Sequence, residues 1–358
     1  MRPSDTSREQ LLAFSTDPDL KRRFLVLDEP IPGNLRFGLL LEVLDELAGE
    51  IAVAYARPER LRQRIVTAAL DEIVVRHVAD VSRDVRCLAR INHVGRSSME
   101  VGIRVESLGE PSHLASCYFT MVAREGEGAE ERAVPLPPLE AGDDLERIRS
   151  VRAEARRAAL RREASNAFQP PTPEEYRLIA DLYREQEQPG FSGLPARQLT
   201  IETWERTYPS QDNPWKTIFG GYLMRRAYEL SVLCAELVSP HRPVLAAVNR
   251  IRFVRPVHIG DKLHVTSRVV YTAGPAICVE TSIERISRDR TVRALSNSCL
   301  FTFLNVDRGL TPADVPQIYP GSHAEEARYL AARRNLRSLC ERTTKGWLAS
   351  RLTPGARP

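Results

Sequence analysis

Two stretches of the chain, about 37–54 and about 219–237, are apolar around most of a helical circumference and rich in Leu, Ala and Glu. That pattern predicts two helices wrapped by other elements rather than lying on a surface. Each is followed by runs in which apolar and polar residues alternate. Val85, Cys87, Ala89 and Ile91 form one such run, and Met99, Val101, Ile103 and Val105 form the next. Period two over this length is the mark of a strand with one buried face. The same runs return 178 residues further on: 68–75 resembles 246–253, Val85 maps onto Leu263 and Met99 onto Ile277. A last strand pairs Cys117 to Met121 with Cys299 to Phe303, now 182 residues apart. Turn residues separate the runs at Gly95, at Ala273-Gly274-Pro275 and at Gly260-Asp261. The chain is therefore one unit written twice.

A long apolar helix followed by an antiparallel meander is the arrangement of the hot-dog fold, in which a curved sheet wraps one central helix. The expected class is α+β, a tandem hot-dog whose two copies pair edge to edge as a pseudo-dimer. The boundaries that follow are 1–125 for the first unit, 126–195 for a connector, 196–320 for the second unit and 321–358 for a C-terminal helix and tail. Within the connector, 147–162 is a strongly charged helical stretch, expected to be solvated. Pro171-Thr172-Pro173-Glu174-Glu175 predicts a helix start, with Thr172 as cap and Glu175 closing a capping box. A further helix is predicted over about 323–341; its Arg333, Arg334 and Arg337 are expected on a solvated face, with phosphate binding as the alternative.

Composition narrows the class without deciding it. With 42% hydrophobic and 27% charged residues, the 358-residue chain is that of an ordinary globular protein. No window approaches the roughly 18 apolar residues of a membrane helix. Acids at 5, 9, 17, 19, 28 and 29 make the first thirty residues unlike a secretory signal. The location expected is cytoplasmic. The six cysteines form no C-x-x-C pair, so metal and redox motifs are absent, and Cys87, Cys117 and Cys299 are expected as buried free thiols. A net charge of +4, dominated by arginine, suits phosphate recognition. No nucleic-acid motif accompanies it, so no nucleic-acid partner is expected.

The chemistry concentrates at the helix starts. Ile218-Phe219-Gly220-Gly221-Tyr222 opens the second helix. Glycines there permit close approach, and free amides at a helix start carry partial positive charge that polarises a carbonyl. Gly221 is the expected carbonyl-polarising group, with Gly220, Phe219 and Thr217 beside it lining the substrate. Inside each apolar helix lies an acid: Asp45 and Glu46 in the first, Glu229 in the second. A partly buried acid has a raised pKa and serves as a general base. Asp45 and Glu229 are the candidates, whereas Glu46 is expected to face solvent. Asn34 and Asn213 precede the two helices and are candidates to hold water or the carbonyl; each is equally a loop residue by type.

Several motifs together resemble the acyl-coenzyme A thioesterase 9 type. They are Ser15-Thr16-Asp17-Pro18-Asp19-Leu20, Arg36-Phe37-Gly38 with Leu41-Glu42 and Leu44-Asp45, Asn213, the run Ile218 to Leu230, Val254 with Pro256-Val257, and Phe301-Thr302-Phe303. The resemblance runs from about 14 to 320, and the Phe-Gly-Gly helix is its most specific piece. It implies a double hot-dog that hydrolyses acyl-coenzyme A to a free fatty acid and coenzyme A, with no cofactor and no metal. It also implies assembly as a homo-oligomer, as a trimer of double units, and a mitochondrial location in a eukaryotic source. An acid from one unit is expected to work with the helix start of the other. That pairs Asp45 with Asn213 and Gly221, and Glu229 with Asn34 and Gly38. The halves are not equivalent: aligning Gly38 with Gly221 sets Asp45 opposite Tyr228 and Glu46 opposite Glu229. The site with Asp45 and the intact Gly-Gly turn is favoured.

Other chemistries fit less well. A hot-dog hydratase or dehydratase needs a histidine near the helix start, and Asp212-Asn213-Pro214-Trp215-Lys216 supplies none. Gly190-Phe191-Ser192-Gly193 lacks the spacing of a serine-hydrolase elbow, and no phosphate-loop motif is present. A non-catalytic acyl-coenzyme A or lipid sensor remains the alternative to an enzyme, because fold alone does not fix function.

Overall fold

The computed structural model describes residues 1–56, 63–109, 113–126, 131–165, 169–213 and 217–343. In the first half, β1 (Arg8–Leu12) and the short α1 (Pro18–Phe24) precede the long helix α2 (Phe37–Ala56). The strands β2 (Gln63–Leu70), β3 (Ile73–Val75), β4 (Val85–Val94), β5 (Ser98–Ser107), β6 (His113–Glu125) and β7 (Arg132–Ala133) follow. Two helices, α3 (Asp144–Ser165) and α4 (Pro173–Gln186), then lead to β8 (Leu194–Pro195) and β9 (Thr200–Arg206). The second half is α5 (Gly220–Glu236), β10 (Arg242–Phe253), β11 (Lys262–Ala273), β12 (Ala276–Ile286), β13 (Arg293–Val306), β14 (Ile318–Tyr319) and α6 (His323–Arg342).

The strands join into one continuous antiparallel sheet of order β1-β4-β5-β6-β2-β10-β13-β12-β11-β9. The two halves meet in the middle of that order, where Leu70 on β2 pairs with Ile251 on β10. Just beyond, Ile73 and Val74 of β3 pair with Val248 and Ala247. Read outward from this seam, the halves repeat each other. Along β4 the buried positions Val85, Cys87, Ala89 and Ile91 alternate with partly exposed ones, as the sequence pattern requires. These apolar faces close on α2 and α5, whose buried residues include Leu40, Leu41, Leu44 and Ala48 on one helix and Leu223, Met224 and Ala227 on the other. The two helices also pack against each other across the seam. This is the tandem hot-dog expected from the repeat.

Bulges fall at matching places in the repeat. The register against β6 slips between Thr67 and Ala69, and the register against β13 slips between Leu245 and Ala247. Thr67 and Leu245 are therefore counterparts, and a bulge of this kind re-aims the side chain beside it.

The outer helices are less solvated than their charge suggests. On α3, Arg156 donates to the buried Glu100 at 3.0 Å and stacks over Tyr118, its guanidinium carbon 3.7 Å from the ring centre. On α6, Arg334 donates at 2.7 Å to Glu175, a buried acid of α4. Neither of these two arginines matches the expectation of a free solvated face. The physical reason is that each meets a carboxylate desolvated by the sheet or by a neighbouring helix, which it neutralises. Thr172 caps α4 with the reciprocal Glu175 bond that the sequence predicts. The six cysteines are free thiols, and all but Cys340 are buried. Among the described residues no helix is long and apolar enough to cross a membrane.

Candidate active site

Asp45 lies in the third turn of α2, on the face turned towards α5 and the seam. Only 1% of its surface is exposed. Its Oδ2 accepts the backbone N–H of Gly221 at 2.7 Å, and its Oδ1 accepts the hydroxyl of Thr67 on β2 at 2.8 Å. The first bond joins the two halves: an acid of one central helix receives an amide at the start of the other. Burial dominates the electrostatics and pushes the Asp45 carboxyl up to about 6, against the opposing pull of the Thr67 and Gly221 hydrogen bonds. An acid in this state exchanges a proton near neutrality, as a general base requires.

The glycines are there because the helices nearly touch. A Cβ on Gly221 would lie 2.9 Å from the Cα of Glu42 on α2, a backbone contact that cannot yield. A Cβ on Gly220 would come within 3.0 Å of Asp45 Oδ2. Alongside, Arg225 of α5 donates to Glu42 at 3.0 Å and fastens the two helices together. Burial raises the Glu42 carboxyl despite that partner.

A cavity of about 1250 Å³ opens onto Asp45. Thr217, Phe219, Gly220, Asn213, Thr67 and Val43 line it, with Leu12, Leu20, Phe24 and Leu39 supplying apolar wall. Of the arginines in its lining, Arg225 is paired with Glu42, and Arg64 and Arg124 with Glu131. Arg23 and Arg255 are exposed and have no carboxylate in ion-pair range among the described residues. Glu46 is exposed, as expected.

The structure separates the sequence-derived candidates. Asp45, Asn213, Thr217, Phe219 and Gly220 share one cavity, and Gly221 bonds directly to Asp45. Gly221 was expected to face a substrate carbonyl; in this structure its amide is engaged by Asp45 instead. The Asn213 side chain donates to Thr217 Oγ1 at 2.8 Å and accepts from the Thr217 amide at 3.3 Å, so it holds the loop before α5 as well as lining the cavity. Pro214, Trp215 and Lys216 lie outside the described residues.

Asn34 has a different place. It accepts the amides of Val26 and Leu27 and donates to the carbonyls of Leu27 and Glu29, all within 3.0 Å. Those four bonds use the whole capacity of its carboxamide, so Asn34 clamps a loop and has nothing left for a substrate. Glu229 is held by two arginines, Arg36 at 2.6 Å and Arg226 at 2.8 Å. The counterpart of Asp45 is its neighbour Tyr228, which is partly buried and packs against Phe37, Phe301 and Phe303. The expected pairing of Glu229 with Asn34 and Gly38 as a second hydrolytic site is therefore not assembled, although Glu229 and Gly38 do line a common second cavity.

Thr67 is the site residue that the sequence reading missed. A signal existed: at this position of the repeat one copy has a hydroxyl and the other has Leu245.

Comparison with known proteins identifies the family. The thioesterase superfamily model matches residues 33–112 and 216–291, once in each half. Acyl-coenzyme A thioesterase 2, chloroplastic, of Humulus lupulus is 30% identical over 331 residues, covering 84% of this chain and 72% of that one. Acyl-coenzyme A thioesterase 9, mitochondrial, of Homo sapiens is 28% identical over 355 residues, covering 94% of this chain and 78% of that one. Among solved structures, one from Lactobacillus plantarum described as an oleoyl thioesterase matches 84% of this chain and 95% of its own, with a TM-score of 0.51 at 9% identity. That last likeness concerns the fold alone.

Proposed function

This chain belongs to the acyl-coenzyme A thioesterases of the thioesterase superfamily, and from that membership we propose that it hydrolyses acyl-coenzyme A at the Asp45 cavity. The observation that carries the proposal is the buried Asp45 carboxylate, pinned between the Gly221 amide and the Thr67 hydroxyl at the wall of a large cavity.

The acyl chain lies along the apolar wall, and the thioester carbonyl faces the start of α5. Because the Gly221 amide is committed to Asp45, carbonyl polarisation falls to the neighbouring Gly220 amide, and Asn213 fixes the loop that presents it. Ionised Asp45 takes a proton from water as the water oxygen bonds to the carbonyl carbon. The carbon–sulfur bond then breaks, and the sulfur leaves as thiolate, which takes up a proton. The products are a free fatty acid and coenzyme A. The thiolate is a good leaving group, so strong acid assistance is unnecessary. Arg23 and Arg255, exposed cations of the cavity lining with no carboxylate in ion-pair range among the described residues, are the groups proposed for the coenzyme phosphates.

The proposal assigns the work to the cytoplasm, or to the mitochondrion in a eukaryotic source. It also includes assembly of the double unit into trimers, which sedimentation of the native protein tests. The decisive experiment is thiol release from acyl-coenzyme A esters of increasing chain length. Turnover that disappears in Asp45→Ala, with an unchanged circular dichroism spectrum, supports it. Tight binding without thiol release in the wild type turns the reading towards a sensor.

A further inference from the structure

Opposite the catalytic cavity, across the pseudo-twofold, lies a second one of about 410 Å³. That volume falls in the range of roughly 300–1,000 Å³ typical of small-molecule sites. It occupies the corresponding junction, between the start of α2 and the middle of α5. Gly38 sits against Tyr228 there, a Cβ on Gly38 lying 3.2 Å from the Tyr228 ring, as its counterpart Gly221 meets Asp45 at the first junction. Both polar groups that would make the site hydrolytic are replaced. Tyr228 stands for Asp45, and Leu245, at the matching bulge, stands for Thr67. The shape of an acyl site persists without its base.

Its charges are also informative. Val75, Val105, Leu114 and Leu245 are buried and give it an apolar wall. Of the acids in the lining, Glu229 is neutralised by Arg36 and Arg226, and Glu236 is exposed at the rim. Arg242 is different. It is half-buried, donates to the Pro32 carbonyl at 2.7 Å, and has no carboxylate within ion-pair range among the described residues. A partly desolvated cation beside an apolar wall is complementary to one simple ligand class, a carboxylate carrying an alkyl chain.

We infer that this second cavity is a non-catalytic binding site for a free fatty acid, its carboxylate paired with Arg242 and its chain laid along the apolar wall. The binding chemistry stands without the hydrolytic reading. Only the identification of the ligand as the reaction's own product, making the site a product sensor, rests on that reading.

Isothermal titration of the full chain with octanoate, decanoate and dodecanoate tests the site. Saturable binding is expected, tightening about threefold to fourfold for each methylene until the cavity is full. Arg242→Gln should weaken decanoate at least tenfold, and Leu245→Trp, which fills the cavity, should abolish binding. Melting temperature and circular dichroism report whether Leu245→Trp folds; if it does not, Arg242→Gln decides. No saturable binding overturns the inference. So does decanoate affinity that survives both substitutions, since the acid then occupies the catalytic cavity. Binding is read without turnover, so a protein that binds decanoate but releases no thiol would sink the hydrolytic reading and leave this site standing.

Discussion

The amide of Gly221 donates to the carboxylate of Asp45 across 2.7 Å, although 176 residues separate the two in the chain. The contact exists only because the repeat folds back on itself and brings the start of one central helix to the middle of the other. Each half alone has an incomplete site: the first supplies the acid and Thr67, the second supplies Gly221. On the proposed mechanism, two copies of the fold are thus a chemical requirement as well as a means of pairing sheet edges.

As the proposed base, Asp45 sets the pH dependence. A general base works ionised, so log kcat/KM should rise with unit slope below about pH 6, bend there and level off above it. Stability should run the other way. The folded-state value lies above the ordinary 3.8, so the protonated form is favoured by folding. The associated stability is fully present below about pH 4 and is lost as pH rises through about 6. Rate profiles and denaturant titrations at the same pH values check both halves; a rate that falls as pH rises from 5 to 7 rejects the assignment.

Thr67 should tune that value. Its hydroxyl bonds to ionised Asp45 and pulls the carboxyl down against burial. Thr67→Val should therefore shift the rising limb upward by about one pH unit, equivalent to ~1.4 kcal/mol. Thr67→Ser, which keeps the hydroxyl, should restore it. A substitution that lowers activity equally at every pH would instead mark Thr67 as a packing residue.

The fold was legible in the sequence because its signals are local and doubled. Helix and strand periodicity appear twice, so each copy checks the other. The site was legible in part. Asp45 stands out as an acid in an apolar helix, and Gly220-Gly221 as glycines where a helix starts. Glu229 misled because successive helical residues point about 100° apart. One step along α5 separates the Tyr228 ring, packed on Phe37, Phe301 and Phe303, from Glu229, which meets Arg36 and Arg226. Asn34 misled because asparagine before a helix is equally a loop clamp, and only the four bonds it makes distinguish the two roles. Thr67 was hidden because an isolated threonine in a strand is ordinary, and its meaning depends on a bulge and on a helix far away in sequence.

Gly221→Ala should damage the site by geometry alone. The added methyl would lie 2.9 Å from the Glu42 Cα, so α2 and α5 must separate or shift. Overpacking of this sort costs about 1–3 kcal/mol. The same movement lengthens the bond from the Gly221 amide to Asp45. Thermal melts should show the loss of stability, and thiol release should fall far more than KM changes. Wild-type turnover in this variant would mean that the close approach of the helices is dispensable.

The two acids raised by the sequence should part company when each loses its charge. Asp45→Asn removes the base, and thiol release should fall by about 10²–10⁴, the usual weight of a general base. Its fold should survive and strengthen. The oxygen of the introduced carboxamide can accept from Gly221, and the Thr67 hydroxyl can turn to accept from its nitrogen. Removing a buried charge whose carboxyl is pushed up from 3.8 to about 6 should stabilise the protein at pH 8 by up to about 3 kcal/mol. Glu229→Gln should do the reverse. It leaves Arg36 without its carboxylate while Arg226 keeps Glu205, so the melting temperature should drop modestly, and kcat stays within about twofold because no reacting atom meets Glu229. Parallel thiol-release assays and thermal melts on the two variants decide the matter: a large loss of kcat in Glu229→Gln, with Asp45→Asn still turning over, would move the chemistry to the other junction.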